Sequence, residues 1–263
     1  MRKNFRVIKE LVRLRFQNLM MFRLGFFGPF FVDGSLFLVQ LLVFDAVYAN
    51  VDEIGGWQRG EMILYIGTFS LLNAVNMVVY FFGVGGIPDK IKSGQMDLYL
   101  TKPVSPLLRL SLESINPGSL PLVVMSLIII AYGAGSAGVS WNPKLFAGYL
   151  FWVLLMLVLY YDLEVLIRSL SFFVVSTAKM QKLEEACISL SMQLPGTVYY
   201  GIYKLIFCCL LPYGIMATLP VKYLAGECTL PAALYGIGIT VLFSALTALV
   251  WKTGIRHYNS VSS

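Results

Sequence analysis

The chain has 263 residues, of which 58% are hydrophobic and 13% are charged, whereas soluble domains carry roughly 25% charged residues. This composition indicates an all-α polytopic membrane protein and excludes a second large soluble domain, because too little polar sequence remains to build one. The net charge of +6 is what basic loops on the cytoplasmic side of a membrane produce, so we expect no nucleic-acid partner.

The first 22 residues mix charged and apolar side chains, which excludes the uninterrupted apolar region of a signal peptide. Apolar side chains recur at steps of three and four, as on one face of a helix, at Phe5, Ile8, Val12, Phe16 and Leu19. Basic residues occupy the opposite face. Residues 1–22 are therefore predicted to form an amphipathic helix that lies in the membrane interface against lipid.

Six apolar runs between residues 24 and 251 each approach the roughly 20 residues that a helix needs to cross a bilayer. They are Leu24–Tyr48, Met62–Val84, Pro117–Gly138, Leu145–Ile167, Tyr200–Leu219 and Pro231–Trp251. With both termini in the cytoplasm, 17 of the 20 Lys and Arg residues lie on the cytoplasmic side, as positively charged loops require. We therefore predict one membrane domain, residues 1–263, with six spans and a cytoplasmic tail at 252–263.

A second polar segment, Lys179–Leu194, also has a helical repeat. One face carries Met180, Leu183, Cys187, Leu190 and Leu194, and the other carries Lys179, Lys182 and Glu185. This pattern predicts another helix lying along the membrane surface. At the inner end of span four we also expect Glu164 and Arg168, four residues apart, to form an ion pair.

The segment between spans two and three is short, charged and interrupted by prolines. Gly94 is expected to end a helix over IPDKIKS that starts near Pro88, and Pro103 and Pro106 disfavour a long helix after it. Leu98, Tyr99 and Leu100 would then be exposed on a rigid cytoplasmic loop, residues 87–110, where aromatic and aliphatic groups indicate a protein partner. A plain linker is the alternative interpretation.

Catalytic motifs are missing from the sequence. His257 is the one histidine, no residues have metal-ligand spacing, and no glycine-rich phosphate loop is present, so we expect no bound cofactor or metal and no ATPase site. Asp33 within span one is a candidate functional residue, because a charge in a membrane costs about 2.5–3.5 kcal/mol at a helix centre. Alternatively, a break at Gly28-Pro29 would leave Asp33 near the interface.

IKSGQMDLYLTKPVSPLLRL resembles a motif of the ABC-2-type transporter permeases. The matching positions are Ile91, Gly94, Met96-Asp97, Leu100, Lys102-Pro103-Val104 and Ser105-Pro106. A weaker second motif matches at Tyr199-Tyr200, Lys204, Pro212, Pro220, Leu224 and Gly226. Pro195 and Phe172-Phe173 depart from the family pattern, so the resemblance specifies no substrate.

The resemblance implies a six-span permease subunit in the plasma membrane, with both termini cytoplasmic and an N-terminal elbow helix. Such permeases pair with a second permease, identical or homologous, and with two copies of a separate ATPase subunit that binds ATP and Mg. A coupling helix in the 87–110 loop docks on the ATPase; the residues expected to couple are Ile91, Gly94, Asp97, Leu98, Tyr99, Leu100, Lys102 and Pro103. Short re-entrant helices are expected at about Leu219–Leu230, and Asp33, Pro212 and Pro220 are candidates for the translocation path or gate.

Two other classes of protein stay open on sequence. An ATP-independent channel or secondary transporter subunit would show inverted repeats or ionisable residues at matched positions within the membrane. A membrane-embedded enzyme would need clustered His, Asp or Glu at one depth. Neither pattern is visible in the sequence.

Overall fold

The computed structural model describes residue 13 and residues 23–140, 142–174 and 176–258. The helices in chain order are α1 (Arg23–Tyr48), α2 (Arg59–Val79), α3 (Phe81–Gly85), α4 (Ile87–Lys92), α5 (Asp97–Leu100), α6 (Pro106–Leu112), α7 (Leu120–Ser136), α8 (Pro143–Ser169), α9 (Ala178–Gln193), α10 (Gly201–Lys204), α11 (Tyr213–Met216), α12 (Thr218–Leu224) and α13 (Leu230–His257). A π-helical segment, Leu205–Leu210, continues α10. Within these ranges the one extended pairing is an isolated bridge between Ile54 and Trp57, so the predicted all-α class is confirmed.

Four helical segments within the described residues are long and apolar enough to cross a membrane. They are Arg59–Val79, Pro117–Ser136, Pro143–Phe172 and Leu230–His257, and a bent pair, Gly201–Leu210 with Tyr213–Leu224, would be a fifth if it formed one span. Helix α1 is continuous through Gly28 and Pro29, so the predicted alternative of a break there is wrong. The predicted surface helix of residues 1–22 lies outside the described residues, apart from Arg13.

Helices α2 and α7 pack antiparallel with their backbones in close contact. A Cβ atom added to Gly133 would lie 2.6 Å from the backbone nitrogen of Leu64, and one added to Gly60 would lie 2.5 Å from that of Ala137. Small residues permit this approach, and close backbone packing is what holds helices together where lipid removes the hydrophobic driving force.

The bundle has two ends, named here by the loops that lie there. The 49–58 end holds the start of α2, and the close packing of Gly60 on Ala137 brings the end of α7 there too. The short connection before Pro143 then starts α8 at the same end, so α8 runs parallel to α2. A hydrogen bond joins the hydroxyls of Thr68 and Tyr149 at 2.9 Å, and the Tyr160 hydroxyl donates to Asn73 at 3.1 Å. The opposite end, the 87–110 end, holds the end of α8.

Helix α9 runs along the bundle, so the prediction that it lies on the membrane surface is wrong. Near its start, Glu184 is bonded to Arg168 in the last turn of α8. Near its other end, the hydroxyl of Tyr65, in the second turn of α2, donates to the backbone oxygens of Ser191 and Leu194. Because Arg168 and Tyr65 lie towards opposite ends of the bundle, a helix lying across one end could not reach both.

The predicted fifth span, about Tyr200–Leu219, is also wrong as a straight helix. The chain bends by 73° between Gly201–Leu210 and Tyr213–Leu224. The bent pair starts at the 49–58 end, where Val198 packs on Gly55. It returns to that end, where Leu224 lines a small cavity with Glu61 and Ala137. The bent pair is therefore re-entrant, and α9 takes the path assigned to span five, although the count of six spans stays a prediction.

Candidate functional site

The 87–110 loop is built from short helices joined by tight turns. Pro88 lies in the first turn of α4, where its missing N–H costs nothing. Gly94 has a φ of +72°, which favours glycine, and it turns the chain so that the backbone N–H of Met96 donates to the oxygen of Lys90 at 3.1 Å. The predicted helix end at Gly94 is therefore confirmed, and Pro106 starts the next helix, α6.

The loop is packed firmly onto the bundle rather than projecting freely from it. Four apolar side chains of the loop are buried: Ile87, Ile91, Met96 and Leu110. They form one cluster with side chains from α3, α8, α13 and the end of α2, which are Val84, Val165, Trp251 and Tyr80. Gly83 in α3 makes the closest approach, because a Cβ atom added there would lie 2.1 Å from the backbone oxygen of Leu110. Buried contacts therefore fix the loop to these helices.

Tyr99 holds the two halves of the loop together and is half-buried, so the prediction that it is exposed is wrong. Its hydroxyl lies 2.9 Å from both carboxylate oxygens of Glu113, to which it donates. The cations of Lys90 and Arg109 lie 5.1 and 4.9 Å from the centroid of its ring, and Lys90 also pairs with Glu113. Burial, and then the Glu113 carboxylate, raise the pKa of Tyr99, so the phenol stays a neutral donor.

The remaining coupling candidates differ in what they present to solvent. Leu98 is 62% exposed and Leu100 is 36% exposed, and Lys102 and Pro103 are exposed beside them. Ile91 is an anchor in the buried cluster. The loop thus has a buried side that fixes its position and an outer side, here called the leucine face, formed by Leu98, Leu100, Lys102 and Pro103.

The end of α13 reaches the same loop. Tyr258 packs on the buried cluster, with its ring centroid 6.2 Å from that of Phe172. Burial, and then the negative charge of Asp97, raise the pKa of Tyr258. Asp97 is therefore close to Tyr258, a neighbour that the sequence does not reveal.

The candidates for the translocation path do not join this site. Pro212 lies at the bend of the re-entrant pair, immediately before α11, and Pro220 is buried in α12. Asp33 lies in α1, and its side chain lies outside the described part of the structure. The structure places the two prolines together in the re-entrant pair but brings neither to the 87–110 loop.

A buried polar network, which we call the arginine network, links α8, α9 and the re-entrant pair. Arg168 lies 2.9 Å from Glu164, which confirms the predicted ion pair, and it also bonds Glu184. The hydroxyl of Tyr213 donates to Glu184 at 2.8 Å. The side chains of Arg168 and the two glutamates are no more than 7% exposed. Buried charges are tolerated when they are paired in this way.

Sequence reasoning missed Glu184 and Glu113. A signal for Glu184 is present, because Glu184, Cys187 and Ser191 recur at steps of three and four and are the buried residues of α9. The prediction instead considered only the apolar stripe, in which Leu183 is 57% and Leu190 is 43% exposed. No local signal marks Glu113, whose partner Tyr99 lies 14 residues earlier. Among the described residues, no group of three or more His, Cys, Asp or Glu could hold a metal ion.

Comparison with protein families gave a match over most of the chain. The family described as ABC-2 family transporter protein matches residues 35–262. This range contains the 87–110 loop, the arginine network and the re-entrant pair. No curated protein and no solved structure matches the chain.

Proposed function

The chain belongs to the ABC-2 family of transporter proteins and is a membrane transport subunit of the permease type, and from this premise we propose that it forms the translocation path of an ATP-binding cassette exporter. In this proposal the 87–110 end faces the cytoplasm, both termini lie there, and the membrane is the plasma membrane. A second permease, identical or homologous, completes the path.

The energy source in this proposal is a separate ATPase subunit, present in two copies, that binds ATP and Mg. The leucine face of the 87–110 loop is the observation that carries the proposal. Leucine side chains held in the open on a fixed backbone are suited to fill a groove on a partner, since the loop loses little conformational freedom on binding. Lys102 beside them adds a positive charge that can select the partner.

The buried side of the loop would transmit movement of the ATPase to the bundle. The contacts of Ile91, Met96 and Leu110 lead to the end of α2, to α8 and to α13. From the last turn of α8, Arg168 leads through Glu184 to Tyr213 in the re-entrant pair. A rigid displacement of the loop could thus reach the bend at Pro212 through packed and hydrogen-bonded groups, which can carry coupling between distant sites.

The test is to purify the tagged chain from its native membrane in mild detergent, to identify the bound ATPase by mass spectrometry and to reconstitute the pair. Leu98→Ala with Leu100→Ala should lower ATPase retention at least tenfold, because full burial of a leucine side chain contributes about 1.5–3 kcal/mol. Leu234→Ala with Leu249→Ala, on the exposed face of α13, is the matched control.

Two results would contradict the proposal. If the double variant of the leucine face retains the ATPase as well as wild type does, the loop is a plain linker. If the purified chain alone hydrolyses ATP, or carries out export in vesicles without any ATPase, the chain is not a coupled permease subunit. Export in vesicles without any ATPase would favour an ATP-independent channel or secondary transporter.

A further inference from the structure

A cavity of about 450 Å³ lies between α1, α2 and α7. It is distinct from the re-entrant pair and from the 87–110 loop. Its volume falls within the roughly 300–1,000 Å³ range of pockets that bind small molecules. Asp45 in the last turn of α1 and Arg59 at the start of α2 line it, so the cavity opens near the 49–58 end.

The walls of the cavity are apolar on all three helices. Each helix contributes aliphatic, thioether or aromatic side chains: Leu38 and Phe44 from α1, Met62 and Ile63 from α2, and Met125 and Ile129 from α7. These apolar side chains offer water almost no hydrogen bonding, so water gains little by entering the part of the cavity that they line. A hydrocarbon chain of suitable width can fill the space and restore the dispersion contacts that a void would lose.

The rim of the cavity carries opposite charges side by side. Arg59 pairs with Asp45, and their side chains remain 57% and 54% exposed. Each charge therefore keeps free surface for a second partner. A head group with a net negative charge would be repelled by Asp45, and one with a net positive charge would be repelled by Arg59. A group that carries both a phosphate and an ammonium can satisfy the two side chains at once.

We propose that this cavity binds one zwitterionic glycerophospholipid. One acyl chain lies between α1, α2 and α7, the phosphate contacts Arg59 and the ammonium contacts Asp45. The lipid would act as a fitted component of the protein and not as cargo, because it fills a gap on the flank of the bundle. This inference goes beyond export and does not depend on the identity of the ATPase.

The test is native mass spectrometry of the detergent-solubilised chain, supplied in turn with phosphatidylethanolamine and with phosphatidylglycerol. Wild type should retain phosphatidylethanolamine at least fivefold better. Met125→Trp, which fills the cavity from α7, should lower its retention at least fivefold. Leu38→Trp fills the cavity from the opposite wall and should lower retention in the same way. Agreement between the two variants would exclude a folding defect in either one as the cause. Val241→Trp, on the exposed face of α13, should retain lipid as wild type does.

The head-group part of the proposal has its own variant. Asp45→Asn removes the negative charge of the rim and leaves Arg59, so the preference should move towards phosphatidylglycerol by at least threefold. Equal retention of the two lipids by wild type would overturn the assignment of the rim. Unchanged retention in both tryptophan variants would overturn the cavity as the site, and the bound lipid would then be general annular lipid.

Discussion

The hydroxyl of Tyr99 lies 2.9 Å from both carboxylate oxygens of Glu113, 14 residues further along the chain. This contact closes the 87–110 loop, since Tyr99 belongs to α5 and Glu113 immediately follows α6. The ring of Tyr99 is also held between Lys90 and Arg109. One aromatic side chain therefore joins both halves of the loop by a hydrogen bond and two cation–π contacts.

Tyr99→Phe should loosen the 87–110 loop without removing the ring that packs between the two cations. A hydrogen bond to a charged group contributes about 1.5–3 kcal/mol, so the loop should sample open conformations far more often. We expect export to stimulate ATP turnover of the reconstituted complex less than in wild type. The amount of bound ATPase should fall little. Tyr200→Phe, at the exposed residue immediately before α10, is the control. Unchanged coupling in Tyr99→Phe would show that the contact is incidental.

Gly83→Ala should disturb the loop from its buried side. The new Cβ atom would lie 2.1 Å from the backbone oxygen of Leu110, whereas one at Gly85 in the same helix meets nothing within 4 Å. Overpacking costs about 1–3 kcal/mol, so Gly83→Ala should lower the melting temperature in detergent and weaken coupling. Gly85→Ala adds the same methyl group and should change neither. Identical melting curves for the two variants would argue against the close contact of α3 with α6.

The arginine network predicts an unequal response to mutation. Arg168→Met leaves Glu164 and Glu184 buried without their cation, and removal of one partner from a buried ion pair costs about 3–5 kcal/mol. Glu184→Gln keeps the pair of Glu164 with Arg168, so its effect on the melting temperature should be smaller. The triple change Arg168→Met, Glu164→Gln and Glu184→Gln should recover much of the stability. A triple variant that is less stable than Arg168→Met would contradict this account.

The path of α9 and of the re-entrant pair predicts how single cysteines are labelled from the two sides of the membrane. In a background without the four native cysteines, a cysteine at Tyr200 should react from the same side as one at Asn50, and a cysteine at Ser93 should react from the other side. The three positions are exposed. Reaction of the Tyr200 and Ser93 positions from one side would restore the straight fifth span that the hydropathy pattern favours.

The sequence by itself determined the features that depend on neighbouring residues. Runs of apolar residues determine where the helices α2, α7, α8 and α13 lie, because a buried or lipid-facing helix needs little more than length and hydropathy. Pro88 and Gly94 determine the start and end of α4 through their backbone preferences. The pair of Glu164 and Arg168 follows from helical spacing alone. The match of the loop motif to the transporter family likewise depends only on residues that are close together in the sequence.

Only the tertiary structure decided how the charged segments are used. The helical repeat of apolar and polar residues predicts α9 at the membrane surface, but Arg168 and Tyr213 from other elements compensate the charge of its Glu184 inside the bundle. The sequence predicts that Tyr99 is exposed, whereas in the fold it is half-buried. The helix that begins at Pro106 brings Arg109 and Glu113 into contact with it. In each case the free energy of burying a polar group depends on a partner that is distant in the chain. A pattern of neighbouring residues does not identify that partner.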